Sequence, residues 1–318
     1  MRKTAIGLLI GLCLTSVVWA AGGSTVRPLR VGTLSGITGL AMARMMEPSE
    51  AASPYEITVY KSPDLLVAKL VAGETDLAAL PLNSAAILYN KGVGIQLTSV
   101  IGWGVLYVVA ADRQIKHWSD LKGREIYLSA KGTVPDLLFR YLAAKNGLTP
   151  ERDFAIHYLA SPVELAQLAA SGKADLAVLP EPWVTEVVER NQRLRVAMDL
   201  QREWRRTEQQ SLTYPQSCLV VSKKALSADP QAVRGFLKDL AASIRWVNRQ
   251  PKQAGVLAEQ YVQIGATAVE HGIKRCNLKY VEAIKVRTEI NRFLTRLGEK
   301  TPEAIGGKLP DEGFYYRP

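Results

Sequence analysis

The sequence predicts an α/β fold of two similar lobes, each a mostly parallel sheet flanked by helices, and three observations predict it. The chain has 318 residues, a length that favours two domains. Residues 62–81 return as residues 161–180, with nine identical positions and no gap. Segments typical of strands and of helices alternate along both copies, as they do where helices cover both faces of a parallel sheet.

The two copies begin 99 residues apart, at Ser62 and Ser161. This period is too long for a solenoid, whose units have about 20–50 residues, but it suits two domains built on one plan. Two such lobes that face each other enclose a cleft, and a cleft between domains is a favoured ligand site.

The N-terminus is typical of a secretory signal. Arg2 and Lys3 precede an apolar run at residues 5–18, and Ala20 ends a segment of small residues. We therefore expect residues 1–20 to be a signal peptide that is cleaved after Ala20.

Two other uses of this segment are less favoured. Lipid attachment at Cys13 would require a small residue before it, and Leu12 is large. A retained membrane anchor would require about 20 apolar residues, more than this run contains.

The composition is that of an ordinary globular protein. Hydrophobic residues make up 47% and charged residues 22% of the chain, and the formal net charge is +10. No basic stripe interleaved with aromatic residues indicates a nucleic-acid partner. A positive field would instead attract an anionic ligand or a membrane surface. The longest later apolar run, residues 100–111, is rich in Val and Tyr and indicates a buried strand.

The first lobe is predicted to alternate strands with helices. Its strands are expected at residues 29–34, 57–60 and 76–80. Its helices are expected at residues 40–46, from Pro63 to Gly73, and up to residue 90. Ser62 is a good N-cap and Pro63 suits the first helical position, so this helix start is well specified.

The second lobe repeats this plan. Its strands are expected at residues 125–128, 156–159 and 176–179. Its helices are expected up to residue 147 and from Ser161 to Gly172. Ser161 and Glu164 form a capping-box pattern with Pro162 between them.

The last third of the chain is predicted to be mainly helical. A strand is expected at residues 217–221. Helices are expected from Pro230 to residue 249, from Pro251, and at residues 280–297. Residues 305–316 are expected to form an ordered surface segment.

Four turns follow predicted strands, two in each lobe. They are Ser35–Gly39, Asn83–Ser84, Lys131–Thr133 and Glu181–Trp183. In open α/β sheets, ligands bind outside the carboxyl ends of the strands. We therefore expect these turns to meet at one binding site between the lobes.

The candidate ligand-binding residues are the polar, glycine and aromatic residues at or near these turns. They are Ser35, Gly36, Thr38, Gly39, Tyr60, Asn83, Ser84, Trp103, Lys131, Gly132, Thr133, Glu181 and Trp183. Free backbone N–H groups at helix starts suit a carboxylate, sulfonate or phosphate, and aromatic rings can stack on a flat ligand. Helix capping and core packing are the alternative roles for these residues.

The cysteine and histidine residues do not indicate a metal site. Once the signal is removed, Cys218 and Cys276 remain, and they are either a disulfide or two buried thiols. The three histidines are scattered and neither cysteine has a partner at metal-binding spacing, so no metal and no cofactor are expected.

The residues carry a resemblance to a known family. The first strand opens Arg30-Val31-Gly32-Thr33-Leu34, both repeats contain Gly-x-x-Asp-Leu-Ala-x-Leu-Pro, and Asp120-Leu121-Lys122-Gly123 precedes the second lobe. In these features the chain resembles the solute-binding proteins of ABC importers. The most similar group is the nitrate, sulfonate and taurine type, which is related to binders of pyrimidine precursors. The resemblance covers nearly the whole mature chain.

The resemblance implies a type II periplasmic-binding-protein fold with two crossover strands. Lobe 1 would then comprise residues 26–110 and 216–318, and lobe 2 residues 111–215. It also implies a periplasmic, monomeric protein whose lobes close on a ligand. The closed form would deliver the ligand to an inner-membrane permease that is driven by an ATPase.

Glu181 suggests a ligand class. A buried carboxylate at the carboxyl end of a strand disfavours a purely anionic ligand and favours one with an amine or an N–H group. Lys131 could balance Glu181 or bind an acidic group on the same ligand. We therefore expect a small polar, zwitterionic or heteroaromatic metabolite, unless Glu181 only caps a helix.

Two other functions share the predicted architecture. An enzyme of the same bilobal fold is one, although the signal peptide and the absence of a Gly-x-Ser-x-Gly motif count against it. A periplasmic receptor that presents its ligand to a membrane sensor is the other.

Overall fold

The computed structural model describes residues 27–48 and 53–318, so the predicted signal peptide lies outside the described residues. The strands of the described chain are β1 (Leu29–Leu34), β2 (Tyr55–Tyr60), β3 (Leu77–Pro81), β4 (Ile95–Trp103), β5 (Leu106–Ala110), β6 (Glu125–Ser129), β7 (Ala155–Leu159), β8 (Leu176–Pro180), β9 (Arg195–Asp199), β10 (Pro215–Ser222) and β11 (Leu278–Glu282).

The helices surround these strands. They are α1 (Ile37–Met42), α2 (Pro63–Val71), α3 (Leu82–Asn90), α4 (Val134–Lys145), α5 (Pro162–Ala170), α6 (Trp183–Arg190), α7 (Leu200–Glu208), α8 (Lys223–Ala228), α9 (Pro230–Arg249), α10 (Pro251–Val262), α11 (Ala266–Gly272) and α12 (Arg287–Gly298). Short 3₁₀ turns lie at Ala43–Met46, Trp118–Leu121, Ile273–Arg275, Ala283–Val286, Pro302–Ile305 and Glu312–Phe314. None of the helices described is long and apolar enough to cross a membrane.

The strands form two mixed sheets. The first has the order β11-β4-β10-β3-β1-β2 and the second the order β7-β6-β8-β5-β9. β1 pairs in parallel with β2 and β3, and β6 pairs in parallel with β7 and β8. The other pairs of neighbouring strands in the two sheets are antiparallel. The chain reaches β5 of the second sheet directly from the first sheet, and it reaches β10 of the first sheet from the second. β5 runs antiparallel to β8, and β10 runs antiparallel to β3.

The chain passes between the sheets earlier than predicted. The apolar run at residues 100–111 is two strands rather than one, because Gly104, with φ +52°, breaks it between β4 and β5. β4 belongs to the first sheet and β5 to the second. The predicted lobe boundary at residue 110 therefore falls after a strand of the second sheet. The chain returns to the first sheet at β10.

The repeated segments form equivalent elements. Ser62 accepts a hydrogen bond from the Leu65 N–H at the start of α2, and Ser161 accepts one from the Glu164 N–H at the start of α5. The glycines that end these helices, Gly73 and Gly172, have φ of +72° and +77°. A positive φ strains other residue types, which explains why both copies keep glycine.

One predicted element is of the wrong type. Residues 278–282 form β11, which pairs antiparallel with β4, and the helix predicted from residue 280 begins only at Arg287. Pairing with a distant strand overrides the local pattern here. In the first lobe, α1 begins at Ile37, so Thr38 and Gly39 lie in the helix rather than in the turn before it.

The two cysteines are free thiols, so the possible disulfide is not formed. Both are buried, but Cys218 packs in one hydrophobic core cluster and Cys276 in the other. Burial raises the pKa of both thiols above the ordinary value, which keeps them protonated.

Candidate ligand site between the lobes

A small cavity of about 90 Å³ lies between the two sheets. The first lobe contributes Leu34, Ser35, Gly36, Ile37, Thr38, Lys61, Pro63, Leu80, Pro81, Gln216 and Ser217. The second contributes Ala130, Thr133, Val134, Pro135, Pro162, Val163, Pro180, Glu181 and Trp183. The wall therefore comes from both lobes, at the edge where the parallel strands end, as the sequence predicts.

Helix starts dominate this wall. The first residues of five helices line the cavity, namely Ile37, Pro63, Val134, Pro162 and Trp183. Each helix start carries a partial positive charge and N–H groups without intrahelical partners. Three of these helices, α2, α4 and α5, have proline in their first turn, and the repeated Ser-Pro motif explains two of them. The cavity is therefore electrostatically suited to an anionic group.

Trp183 presents an unused hydrogen-bond donor at the cavity wall. Its side chain is buried, with 2% exposed, and its indole Nε1 has no partner. A Cβ at Gly36 would lie 3.6 Å from this nitrogen, so the backbone at the start of α1 lies close beside the indole. A buried donor without a partner costs free energy, and a ligand acceptor would relieve that cost.

The Glu181 carboxylate lines the same cavity but already has partners within the protein. It is fully buried and accepts hydrogen bonds from the Thr185 N–H at 3.1 Å and the Thr185 hydroxyl at 2.8 Å. Arg275 Nε of the first lobe donates to it at 2.5 Å, and Arg275 Nη2 donates to the Thr185 hydroxyl at 2.6 Å. Partial burial lowers the pKa of Arg275, but the neighbouring Glu181 charge outweighs this and raises it. Glu181 thus caps α6 and pairs across the lobes.

The structure brings six of the predicted residues to the cavity: Ser35, Gly36, Thr38, Thr133, Glu181 and Trp183. Ser35 and Thr133 donate their hydroxyls to the carbonyls of Val262 and Ala130. Thr38 donates to the Leu34 carbonyl. These hydroxyls are therefore held in fixed orientations at the wall.

The other predicted residues do not line the cavity. Gly39 packs against Val262 of α10, and Tyr60 lies in a neighbouring groove. The Asn83 amide donates to the carbonyls of Gly132 and Ala304. Lys131 lies over the Tyr158 ring.

Ser84 and Trp103 also lie elsewhere. Ser84 is half-buried on α3. The Trp103 indole donates to the Lys279 carbonyl at 3.0 Å, because β11 lies beside β4.

Sequence reasoning missed Lys61, Gln216 and Arg275. Lys61 immediately precedes the repeated Ser-Pro motif, so its position could have been found from that motif. Gln216 lies on the crossover strand β10, where its Oε1 accepts from the Val105 N–H. Arg275 is 94 residues from Glu181 in the chain, and no local pattern indicates their pairing.

Contacts across the cleft hold the two lobes together on both sides. On one side Arg275 meets Glu181, and His271 Nδ1 lies 2.5 Å from the Glu189 carboxylate. On the other side Arg296 Nε pairs with Glu208 at 2.9 Å. These pairs join α6 and α7 of the second lobe to the C-terminal part of the first.

Sequence and fold comparisons agree on the class of protein. Residues 44–270 match the family described as ABC transporter, phosphonate, periplasmic substrate-binding protein. The crystal structure of an ABC transporter from Parabacteroides distasonis is 30% identical, and the match covers 91% of this chain and 99% of that chain with a TM-score of 0.76.

More distant structures share the fold alone. The periplasmic aliphatic sulphonate binding protein SsuA from Escherichia coli is 15% identical over 92% of each chain, with a TM-score of 0.70. The periplasmic nitrate-binding protein NrtA from Synechocystis PCC 6803 is 13% identical over 88% of this chain and 84% of that chain, with a TM-score of 0.66. No curated protein matches the chain in sequence.

The resemblance inferred from the sequence is confirmed. The family match covers more than half of the chain, and the family consists of substrate-binding proteins of ABC transporters rather than enzymes. The type II periplasmic-binding-protein architecture, with two mixed sheets flanked by helices, is likewise the fold of these relatives. The chain therefore belongs to the phosphonate-type family of periplasmic substrate-binding proteins of ABC transporters.

Proposed function

We propose that this protein captures a small organic anion, one with a phosphonate, sulfonate or carboxylate group, between two closing lobes. The lobes in this proposal are the two sheets with their helices, divided near Gly104 and before β10. The observation that carries the proposal is the buried Trp183 indole N–H, which lacks a partner and lines the cavity between the lobes. An anionic oxygen is the acceptor that such a donor binds most strongly.

The electrostatics of the cavity support an anion. Five helix starts line it, and Lys61 adds a cationic side chain at its edge. Among the described residues, the only acid in the cavity wall is Glu181, and Arg275 balances its charge, so the ligand need not neutralise it. The family description names phosphonate, and the related fold members bind aliphatic sulphonate and nitrate.

A zwitterionic or heteroaromatic ligand is the second candidate. The observation that favours it is that Glu181 reaches the cavity wall with its carboxylate fully buried. A ligand amine or ring N–H could share this carboxylate with Arg275, while its acidic group or ring acceptor binds the Trp183 indole. A ligand of either class would contact the wall residues Ser35, Gly36, Thr38 and Thr133.

Calorimetric titration with a matched panel distinguishes the two. The panel contains methylphosphonate, methanesulfonate and acetate beside glycine, taurine and a pyrimidine. We expect measurable binding of at least one simple anion, and Trp183→Phe should weaken it about tenfold or more, because a hydrogen bond to a charged group contributes about 1.5–3 kcal/mol. Trp246→Phe, which lies outside the cavity on α9, is the control.

Binding only by the amine- or N–H-bearing compounds would favour the second candidate. Affinities that Trp183→Phe leaves unchanged would contradict the role of the indole in either candidate.

The captured ligand would pass from this protein to a membrane permease. Substrate-binding proteins of ABC importers work with a permease and its ATPase, and the family to which the chain belongs is periplasmic. We propose a monomer that is exported with cleavage after Ala20 and that serves import rather than a membrane sensor. N-terminal sequencing of the exported protein should begin at Ala21, and an intact N-terminus or lipid on Cys13 would contradict this.

A further inference from the structure

The two chain crossings between the sheets touch each other at Gly104. The first crossing connects β4 to β5 through Gly104 and Val105, and the second leads from α7 into β10. A Cβ at Gly104 would lie 2.3 Å from the Thr213 hydroxyl and 3.2 Å from the Tyr214 ring, both of which belong to the second crossing. Gly104 also has a φ of +52°, so the chain bends sharply at a point where no side chain would fit.

The backbone of the first crossing is bonded to side-chain amides. Residue 104 accepts through its carbonyl oxygen from Asn277 Nδ2 at 2.6 Å. Residue 105 donates its N–H to Gln216 Oε1 at 3.3 Å, and residue 106 donates its N–H to Gln201 Oε1 at 2.8 Å. Three consecutive residues thus use three amide side chains, which we call the crossing amides: Gln201, Gln216 and Asn277.

The crossing amides come from three different parts of the chain. Gln201 lies on α7 of the second lobe, Gln216 lies on β10, and Asn277 immediately precedes β11 of the first sheet. Gln201 Oε1 accepts a second hydrogen bond, from the Tyr214 hydroxyl at 2.6 Å, and both of these side chains are buried. The first crossing is therefore tied to each lobe and to the second crossing.

Bonds of this kind suit a pivot. A buried backbone group needs a partner, and a side-chain amide can supply one while the backbone dihedrals of a hinge change. In this structure the bonds coexist with ion pairs between the lobes, such as that of Arg275 with Glu181. An open form would separate these ion pairs, so the observed bonds belong to the arrangement with the lobes together.

We propose that the crossing amides are positioning residues that set the equilibrium between open and closed lobes, with Gly104 as the pivot. This inference rests on the proposed function, because closure on a ligand is proposed there. It adds that affinity depends on residues outside the binding site, since neither Gln201 nor Asn277 lines the cavity. Loss of either amide lowers the closed population, and with it the apparent affinity for every ligand by the same factor.

Two anions with different head groups, methylphosphonate and methanesulfonate, test the proposal. Gln201→Ala should weaken the binding of both by one common factor of about threefold to tenfold, because hydrogen bonds between uncharged groups are lost from the closed form. Small-angle scattering of the ligand-free variant should also give a larger radius of gyration than that of the wild type. Gln216 is left unchanged, because it lines the cavity and could contact the ligand directly.

Asn277→Gly is the second variant, in case Gln201→Ala does not fold. Asn277 has a φ of +44°, which glycine adopts without strain, so this substitution removes the amide and keeps the backbone conformation. It should have the same two effects as Gln201→Ala.

Asn191→Ala is the matched control. Asn191 is half-buried and its Nδ2 donates to the Ala169 carbonyl at 3.0 Å, but both residues belong to the second lobe. This variant loses an amide bond of the same kind without affecting either crossing. It should lower the melting temperature while leaving both affinities within twofold and the radius of gyration unchanged.

The outcomes separate this proposal from the proposed function. If the variants melt at a lower temperature but keep both affinities and the radius of gyration, the crossing amides serve stability alone and the proposal is overturned. Unequal weakening of the two anions would also overturn it, because a shift of the lobe equilibrium cannot distinguish between ligands. If neither anion binds to the wild type, the proposed function fails, and the scattering of the ligand-free variants still decides whether the crossing amides control the lobes.

Discussion

At the scale of single residues, Glu181 shows how one carboxylate can serve structure at a ligand site. It caps α6 through Thr185, and it neutralises Arg275 from the other lobe. The side chain of Arg275 is 43% exposed, so solvent weakens this ion pair, but Glu181 itself is fully buried. Removing the carboxylate would leave the Thr185 N–H and hydroxyl and the Arg275 Nε without this acceptor.

Glu181→Ala should therefore destabilise the ligand-free protein. The expected loss is about 1–3 kcal/mol, because a buried donor loses its partner, and the melting temperature should fall by several degrees. Glu181→Gln should lose less, since an amide oxygen can still accept from the Thr185 N–H. Thermal unfolding of the two variants measures this.

Glu282→Ala provides the comparison, because it breaks an exposed ion pair with Lys285 and should change stability by no more than about 0.5 kcal/mol. If Glu181→Ala has the same melting temperature as the wild type, the cap and the ion pair contribute nothing to stability.

Asp76 predicts a pH dependence of stability. Burial alone would raise its pKa, but hydrogen bonds from Arg30 and Arg27 and from the Arg30 N–H outweigh burial and lower the pKa from 3.8 to about 2. Because the folded pKa lies below the unfolded one, the stabilisation is full above about pH 4 and is lost as the pH falls towards 2. Its size is about 2 kcal/mol.

Asp76→Asn should thus lower the melting temperature at pH 7, and the difference from wild type should shrink as the pH approaches 2. Asp175→Asn is a matched control, because Asp175 holds the same place in the second repeat but forms only an exposed ion pair with Arg193. A constant difference between pH 7 and pH 2 would show that the Asp76 charge is unimportant.

At the scale of elements, the contact between α6 and α11 joins the two lobes. Gly272 ends α11 against Thr185 and Glu181 of the second lobe. A Cβ at Gly272 would lie 2.6 Å from the Thr185 hydroxyl and 3.2 Å from the Glu181 carboxylate. The close approach of these helices therefore depends on the absence of a side chain at this position.

Gly272→Ala should push α6 and α11 apart and favour the open form. We expect a larger radius of gyration by small-angle scattering in the presence of ligand, and an affinity lower by about tenfold, since closure is coupled to binding. Gly265→Ala, at the other end of α11, is the control, because its Cβ would meet no atom closer than 3.9 Å. Unchanged scattering and affinity for Gly272→Ala would mean that this contact does not limit closure.

At the scale of the whole molecule, the lobes should close on the ligand as rigid bodies. The chain crosses between the sheets at Gly104 and again before β10, and such short crossings permit a hinge motion. The ligand-free protein in solution should then be more extended than the ligand-bound protein.

Adding the best-binding member of the anion panel should make the protein more compact and more stable. At a hundredfold excess over Kd the gain is about 2.7 kcal/mol, because the ligand binds only the folded protein. Scattering and thermal unfolding report the two effects, and mass spectrometry should recover the ligand unchanged. Recovery of a chemically altered ligand would contradict a pure binding role.

Much of the architecture could be predicted from the sequence because its signals are local. The repeated Ser-Pro caps and the glycines at Gly73 and Gly172 specify where helices begin and end, and strands that alternate with helices imply two α/β lobes. Helix starts at the carboxyl ends of strands follow from the same order. For this reason the sequence alone assigns the turns that begin at Ser35 and Glu181 to the cleft.

The tertiary structure decided which side chains in those turns face the cavity and which are occupied elsewhere. The partners of Glu181, Trp103 and Asn83 lie 94, 176 and up to 221 residues away in the chain. The separation of Cys218 and Cys276 into two core clusters, and the antiparallel entry of β5 and β10, also depend on how distant segments pack. Local patterns specify caps, turns and strand direction along the chain, but a hydrogen bond between distant residues exists only once the fold has brought them together.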